Sequence, residues 1–295
     1  MQYKLKNEML EATFESFGAE LVSLKDDTGK EYLWYGDAAF WGRHAPILFP
    51  FVGKVNGGKY HYNGVSYEMG QHGFARDMEF TLVSQTEDEI WFALEDTEET
   101  KRRYPFAFHL EAGYQLTANV LKVMWKVVNP ATEEKLHFSI GAHPAFLCPL
   151  EEGTKQSDYF LQLDVKEAAY YSASLESGLR LPKMRTLVTE DGKCRLTEGF
   201  FDMGDRGTYI FEDHQVKEVA LLRPDGRAYV TVSFAMPLVA VWSPEKKQAP
   251  FVCIEPWCGR CDAVDFNGSL EERAWANVLE PQGIFETSYE IRIDK

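Results

Sequence analysis

Two histidines of this 295-residue chain lie in unusually similar settings. His72 lies in the segment 71–76, which reads QHGFAR, and His143 lies in the segment 141–146, which reads GAHPAF. Each has small neighbours and a following phenylalanine, so its imidazole can stand clear of the backbone beside an apolar wall. This setting is typical of a group that transfers protons.

A carboxylate occurs in a third segment of similar character. Glu255 follows a short apolar run and precedes Pro256 and Trp257, and burial there would raise the pKa of its carboxyl group. Most glutamates are exposed, so a solvated side chain at a strand end is the alternative for Glu255. Together with the two imidazoles and Arg76, this carboxylate predicts an acid/base site.

Other chemistries lack their sequence signatures. Neither histidine belongs to a His-x-x-x-His or His-Glu-x-x-His pattern, so a metal site is disfavoured, and no glycine-rich phosphate loop or cofactor fingerprint occurs. Cys258 and Cys261 have the spacing of half a zinc or redox site, but further ligands are missing nearby. No Gly-x-Ser-x-Gly elbow is present. We therefore expect proton transfer without a metal or cofactor.

Composition limits the partners. The formal net charge of −15 argues against binding to a nucleic-acid backbone, which requires clustered Lys and Arg. Aromatic residues make up 14% of the chain and are natural platforms for sugar rings. No leader of charged then apolar residues and no run of about 20 apolar residues occurs, so no membrane segment is expected. The five scattered cysteines fit a reducing compartment and predict a cytoplasmic protein.

The elements that must position these residues are mostly strands. Short segments rich in β-formers recur at close spacing, and turn signals such as Asn63-Gly64 separate them. They lie at 10–15, 20–24, 60–67, 79–83, 90–94, 109–116, 121–128, 209–211, 218–222, 229–234 and 288–293. Two short helices are predicted, at 97–104 and at 269–275, where Ser269 and Glu272 have capping-box spacing. The pattern predicts an all-β fold, a large antiparallel β-sandwich, in one domain spanning 1–295.

An ordered set of motifs resembles one family over nearly the whole chain. The motifs are GAELVSL at 18–24, PILFPFVGK at 46–54, HGFAR at 72–76, GAHPAF at 141–146 and IEPW at 254–257. They are similar to the aldose 1-epimerase (galactose mutarotase) family, closest in pattern to its LacX-like branch. The resemblance implies a galactose mutarotase-like β-supersandwich and cofactor-free interconversion of α and β sugar anomers.

The resemblance also implies a role for each site residue. Glu255, ionised, would take the anomeric hydroxyl proton, while protonated His143 would donate a proton to the ring oxygen. This division requires that a nearby carboxylate raises the pKa of His143. His72 and Arg76 would bind the sugar oxygens. Trp257 would form an apolar wall or belong to the core.

The chain departs from the family pattern in two places. Many relatives have arginine where Lys54 follows Gly53, and lysine keeps the charge but loses the bidentate geometry. The substrate-binding aspartate is not sharply marked, and Asp202 is the candidate, with Asp205 close behind and a turn-capping role open for either. Glu280, in the segment LEPQG, is interpreted as part of a turn before the last strand.

Two rival functions remain open at this stage. A hexose-6-phosphate mutarotase would use Lys54, Arg76 and Arg43 to bind a phosphate. A non-catalytic carbohydrate-binding or sensor protein would keep the cleft but would not require a matched acid and base. A glycosidase would need a second carboxylate opposite the first. The expected partner is a small sugar, and the expected assembly is a monomer or homodimer.

Overall fold

The computed structural model describes residues 1–295, which form an almost entirely β protein. The strands of the first half are β1 (Gln2–Lys6), β2 (Leu10–Glu15), β3 (Glu20–Asp26), β4 (Ile47–Leu48), β5 (Lys59–Tyr62), β6 (Val65–Glu68), β7 (Thr81–Gln85), β8 (Glu89–Glu95), β9 (His109–Thr117), β10 (Val120–Val128), β11 (Leu136–Phe138), β12 (Ile140–Ala142) and β13 (Ala145–Leu147). The strands of the second half are β14 (Phe160–Leu163), β15 (Glu167–Ser174), β16 (Arg185–Val188), β17 (Lys193–Arg195), β18 (Arg206–Phe211), β19 (Glu218–Leu222), β20 (Ala228–Phe234), β21 (Leu238–Trp242), β22 (Phe251–Cys258), β23 (Asn277–Leu279) and β24 (Ile284–Ile293).

Two large antiparallel sheets contain most of these strands. The nine-stranded sheet has the order β17-β14-β19-β20-β24-β10-β9-β8-β7. The second large sheet has the order β16-β15-β18-β21-β22-β12-β4, and β13 also pairs with β22. Smaller sheets join β1-β2-β3, β5-β6 and β11-β23. The prediction of an all-β antiparallel fold is confirmed.

Alternation of buried and exposed side chains explains the strands of the nine-stranded sheet. In β10, Leu121, Val123, Trp125 and Val127 are buried, while the residues between them are partly exposed. This period of two gives the strand one core face and one solvent-facing side. Side chains of both large sheets contribute to one buried apolar cluster of 66 residues.

Helical structure is limited to short segments. The helix α1 (Glu98–Arg103) begins after Thr97, whose side chain accepts a hydrogen bond from the backbone N–H of Thr100, as the sequence predicted. The second predicted helix was wrong: only a 3₁₀ turn forms at Leu270–Glu272, and Trp275 adopts a φ of 64°, which ends any helical path. Other 3₁₀ turns lie at Asn56–Gly58, Ala75–Asp77 and Gln156–Asp158. None of the helical segments has the length and apolarity of a membrane span.

Candidate active site

Glu255 lies in the middle of β22, in which every residue is buried. Residues 251, 253, 255 and 257 share one face of the strand because side chains alternate. The Glu255 side chain is 2% exposed, and its cross-strand neighbour on β21 is the small Ala240. A short side chain on β21 leaves space beside the carboxylate. The expectation that the apolar run buries Glu255 is therefore met.

The register of three strands brings His143 to Glu255. On β12, Gly141 pairs with Trp257, and on β13, Ala145 pairs with Cys253. The same register continued between β12 and β13 places His143 directly opposite Glu255 as a cross-strand pair. The Nε2 atom of His143 lies 3.3 Å from Oε2 of Glu255, and both side chains are buried.

Aromatic rings surround His143 on three sides. Trp41 stacks on it with ring centroids 4.7 Å apart and an interplanar angle of 26°. Trp242 and His72 meet it edge-on, each at 5.5 Å. These contacts fix the imidazole orientation. The stacked indole also favours a protonated ring, since a cation over an indole face is stabilised by about 0.5–2 kcal/mol.

His72 is held by a turn that packs against residues 49–53. His72 and Gly73 both have positive φ, 68° and 71°, and the backbone N–H of Phe74 donates to the carbonyl of Phe49. The backbone N–H of Gly53 donates to Nδ1 of His72 at 3.1 Å, so in the neutral ring the proton lies on Nε2. Burial and the neighbouring His143 hold the pKa of His72 well below its usual value. His72 is thus a neutral hydrogen-bond donor.

Arg76 lies on the 3₁₀ turn directly after His72. Its Nη2 donates to the carbonyl of Gln71 at 2.7 Å, and its Nε lies 3.7 Å from Asp77. Arg43 pairs with the same aspartate at 2.8 Å. Burial and the charge of Arg43 lower the pKa of Arg76 to about 10, so the guanidinium remains charged at neutral pH.

These side chains line one cavity of about 440 Å³, a volume that accommodates a small sugar. Residues from eight segments line it: Trp41, Arg43, Gly53, Lys54, Gln71, His72, Arg76, His143, Ala173, Ser174, Leu175, Gly178, Gly207, Thr208, Ile210, Trp242, Glu245, Glu255, Trp257 and Cys261. The cavity therefore brings together six of the seven site residues that the sequence indicated. Trp257 is a wall residue with its indole N–H donating to the carbonyl of Ala142 at 3.1 Å.

Burial shifts the two central groups in opposite directions. It raises the pKa of Glu255 well above its usual value, although the Trp257 side chain opposes the shift. Burial, together with the charges of Arg76 and Arg43, lowers the pKa of His143 to about 3. The expectation that the carboxylate raises the pKa of His143 was therefore wrong. The loss of hydration destabilises the protonated imidazole by more than the neighbouring carboxylate stabilises it. The single proton of the pair therefore lies on Glu255.

The structure does not bring Asp202 to this cavity. Asp202 lines a separate cavity of about 380 Å³, with Gln156, Thr197 and Lys246 among its walls. Asp205 is exposed and lies near Arg206 at 3.8 Å. Glu280 lies between β23 and β24 and pairs with Lys135 at 2.6 Å, which agrees with its interpretation as part of a turn.

The sequence analysis missed three residues of the site and a buried thiol outside the cavity lining. Glu245 lines the cavity and accepts a hydrogen bond from the Trp242 indole at 3.3 Å. Trp41 and Trp242 contact His143, and Cys253 lies within 4.8 Å of both His143 and Glu255. Cys253 had a usable signal, because it precedes Glu255 by two residues on a strand and must share its face. The loops that bring Trp41 and Glu245 to the cavity gave no such signal.

Comparison with known proteins identifies the family. A sequence profile described as Aldose 1-epimerase matches residues 1–282. The chain therefore belongs to the aldose 1-epimerase family, and the predicted resemblance is confirmed. Within the family it is similar to the protein LacX (chromosomal) of Lactococcus lactis subsp. lactis, with 31% identity over 99% of each chain.

Solved structures give the same fold. A galactose mutarotase related enzyme from Lactobacillus acidophilus superposes with a TM-score of 0.92 and 32% identity, covering 100% of this chain and 98% of that one. A galactose mutarotase-like protein from Lactobacillus casei gives a TM-score of 0.90 and 28% identity, with 100% of both chains covered. The galactose mutarotase-like β-sandwich predicted from the sequence is confirmed.

Proposed function

We propose that the protein is an aldose 1-epimerase that interconverts the α and β anomers of a hexose by opening and closing the sugar ring. The observation that carries the proposal is the pairing of Glu255 and His143 at 3.3 Å on the wall of a sugar-sized cavity. One group can accept a proton and the other can donate one within the same small volume. Membership of the aldose 1-epimerase family supports this reaction class.

In the proposed mechanism, Glu255 serves the anomeric hydroxyl and His143 serves the ring oxygen. The O1–H bond breaks and its proton passes to the carboxylate, while the electrons form the C1=O1 double bond. The C1–O5 bond breaks, and O5 receives a proton from His143. Rotation about C1–C2 presents the other face of the aldehyde, and the same transfers run backwards to close the opposite anomer. Atoms and charge balance without a cofactor.

The pair needs one proton between its two members. Burial places that proton on Glu255. The form needed for ring opening, with Glu255 ionised and His143 protonated, is reached by transfer of this proton across the 3.3 Å between the two side chains. The stacked Trp41 supports the protonated imidazole. Sugar hydroxyls hydrogen-bonded to the carboxylate would support its ionised form.

Neutral His72 and charged Arg76 are proposed to orient the sugar. Nε2 of His72 carries a proton and lies 3.1 Å from the side-chain amide of Gln71, so a sugar oxygen would compete with Gln71 for this donor. The guanidinium of Arg76 offers further donors from a fixed fork. Lys54 adds a cation on the cavity wall, Glu245 can accept from a sugar hydroxyl, and Trp257 offers an apolar face. Donors, an acceptor and aromatic walls match the mixed surface of a pyranose.

The test is the relaxation of freshly dissolved α-D-glucose and α-D-galactose to anomeric equilibrium, followed by polarimetry or NMR. Wild type should accelerate the relaxation of at least one sugar. Glu255→Gln keeps the shape of the side chain but cannot accept the proton, so we expect its rate to fall by about 10²–10⁴-fold. Near-native circular dichroism would show that the variant still folds.

Glu280→Gln is the matched control, because it makes the same change in an exposed turn. It should retain the wild-type rate. Comparable loss in both variants, or an undiminished rate in Glu255→Gln, would refute the assignment of Glu255.

A phosphorylated hexose is the second candidate substrate, and three cations on the cavity wall favour it. Arg43, Lys54 and Arg76 all line the cavity, and Lys54 has no salt-bridge partner. A phosphate is recognised by such a cluster of donors. A competition assay between glucose and glucose 6-phosphate separates the two substrates, since a phosphate-specific site would turn over the phosphorylated sugar preferentially.

A non-catalytic sugar-binding protein is the remaining alternative. It would need the cavity walls but would not need the buried carboxylate–imidazole pair. If Glu255→Gln bound sugar as well as wild type, and wild type did not accelerate anomer relaxation for any sugar tested, the binding interpretation would replace the enzymatic one.

A further inference from the structure

Behind the carboxylate–imidazole pair lies a thiol that the proposed reaction does not use. The potential ligand atoms of His143, Cys253 and Glu255 all lie within 4.8 Å of one another, and all three side chains are buried. Cys253 and Glu255 lie two residues apart on the same face of β22, and His143 is opposite Glu255. Strand geometry alone therefore assembles one nitrogen, one sulfur and one oxygen donor.

The spacing of these donors approaches that of a metal site. Tetrahedral Zn²⁺ with bonds of about 2.0–2.2 Å to nitrogen and oxygen holds those atoms ~3.4 Å apart. The observed separation of 3.3 Å between Nε2 of His143 and Oε2 of Glu255 already has this value. Bonds of about 2.3 Å to sulfur and about 2.0 Å to nitrogen hold those atoms ~3.6 Å apart, so the thiol, within 4.8 Å of both partners, must approach by at most ~1.2 Å.

A second observation points to a ligand between these groups. Oε2 of Glu255 is buried and makes no hydrogen bond, because even Nε2 of His143, 3.3 Å away, is not aligned for one, and this is costly for a polar atom. This oxygen is the one that faces His143. A cation between the two would satisfy it, and the cavity gives access because His143 and Glu255 both line its wall.

We propose that His143, Cys253 and Glu255 form an inhibitory site for a thiophilic divalent cation such as Zn²⁺. Three protein donors leave the fourth tetrahedral position open toward the cavity, where water would complete the coordination. A nitrogen, a thiolate sulfur and an oxygen select Zn²⁺ over Mg²⁺ or Ca²⁺, which prefer oxygen ligands.

Coordination has a defined proton balance. The thiolate of Cys253 bonds to the cation after the S–H proton leaves to solvent, and Glu255 likewise gives up its proton before its oxygen binds. Nε2 of His143 binds through its lone pair. Once bound, the cation occupies both the acid and the base, so the sugar cannot open until the cation leaves. The claim that the cation inhibits the enzyme rests on the proposed function, whereas the claim that these residues bind a cation does not.

Co²⁺ spectroscopy tests the site without requiring activity. Bound Co²⁺ in a tetrahedral site with one thiolate gives visible d–d bands and a near-ultraviolet thiolate-to-cobalt band, and Zn²⁺ should displace it. We expect both signals in wild type. Cys253→Ala should lose the thiolate band and weaken Zn²⁺ binding at least about tenfold. Absence of both signals in wild type would overturn the proposal.

Activity provides the second measurement. Zn²⁺ should slow wild-type anomer relaxation, with galactose competing and a chelator restoring the rate. Cys253→Ala should keep the basal rate and require at least about tenfold more Zn²⁺ for the same inhibition. Unchanged sensitivity in Cys253→Ala would overturn the proposal. If wild type lacks activity altogether, the proposed function fails and the Co²⁺ spectra still decide the site.

Two control variants identify the thiol. Cys261 also lines the cavity, while Cys194 lies on the edge strand β17 of the other sheet. Cys194→Ser should leave Co²⁺ and Zn²⁺ binding unchanged. Loss of the thiolate band in Cys261→Ser, with retention in Cys253→Ala, would assign the cation to a different site. Thermal melting of each variant excludes unfolding as the cause.

Discussion

At the scale of the residue, the site depends on a proton count rather than on two separate charges. Burial inverts the usual order of the two pKa values, because it raises that of Glu255 and lowers that of His143, so the single proton of the pair lies on Glu255. Two interacting groups of this kind titrate as a unit. Adding a second proton or removing the only one abolishes the acid/base couple.

The pH profile of anomer relaxation follows from the directions of these two pKa shifts. Because the pKa of His143 is lowered to about 3, the second proton binds only near that pH, and the acid limb should lie there. Because the pKa of Glu255 is raised, the single proton is retained as pH rises through the usual range of a carboxyl group. We expect kcat/KM to be flat between about pH 4 and 6. An acid limb centred near pH 6.5, the usual value for histidine, would contradict this assignment.

At the scale of the element, the turn that holds His72 requires glycine at position 73. Gly73 has a φ of 71°, and a Cβ there would lie 2.3 Å from the carbonyl oxygen of Phe49. The carbonyl cannot withdraw easily, because it accepts from the backbone N–H of both Phe74 and Ala75. The close approach of the two backbones therefore sets the position of His72.

Gly73→Ala should damage both stability and activity. The left-handed backbone and the clash together should cost at least about 2 kcal/mol of unfolding free energy, measured by denaturant titration. Sugar turnover should fall because His72 moves with the turn. Gly70→Ala is the control in the same loop, since its Cβ meets nothing within 4 Å and its φ is not positive. Equal stabilities of the two variants would disprove the packing argument.

Sequence patterns identified several strands in which buried and partly exposed side chains alternate, among them β8 and β10. The segments predicted at 10–15 and 218–222 begin and end as β2 and β19 do, and the segment at 60–67 is the hairpin of β5 and β6. The strands β12, β13 and β22 were not assigned from periodicity, because nearly all of their residues are buried and no alternation marks them. These strands carry the site.

The sequence likewise indicated most residues of the site but not how the fold brings them together. Glu255 and His143 were found because their flanking residues match a family pattern, and the sequence alone did not indicate that β-sheet register places them face to face. Asp202 was chosen for its residue type, but the structure puts it in another cavity. Glu245 lies in the loop after β21, and only the packing of that loop over Gly207 brings it to the cavity.

At the scale of the whole molecule, the chain order of the nine-stranded sheet joins distant parts of the sequence. The last strand, β24, lies between β20 and β10. It therefore connects the half of this sheet built from residues 160–234 to the half built from residues 81–128. The main apolar cluster likewise includes residues from Leu5 to Ile293. We therefore expect the 295 residues to unfold as one domain in one cooperative transition.

Two isoleucines of β24 provide a matched test of this cooperativity. Ile291 is fully buried between β20 and β10, whereas Ile284 is 58% exposed at the other end of the same strand. Ile291→Ala should lower the free energy of unfolding by about 2–5 kcal/mol, and Ile284→Ala should change it by less than about 0.5 kcal/mol.

Tryptophan fluorescence reports on both large sheets, because tryptophans lie in each, for example Trp125 on β10 and Trp257 on β22. In Ile291→Ala, fluorescence and far-ultraviolet circular dichroism should shift together to the same lower midpoint. Two separated transitions, or a shift in one signal alone, would mean that the sheets unfold independently and that the single-domain prediction is wrong.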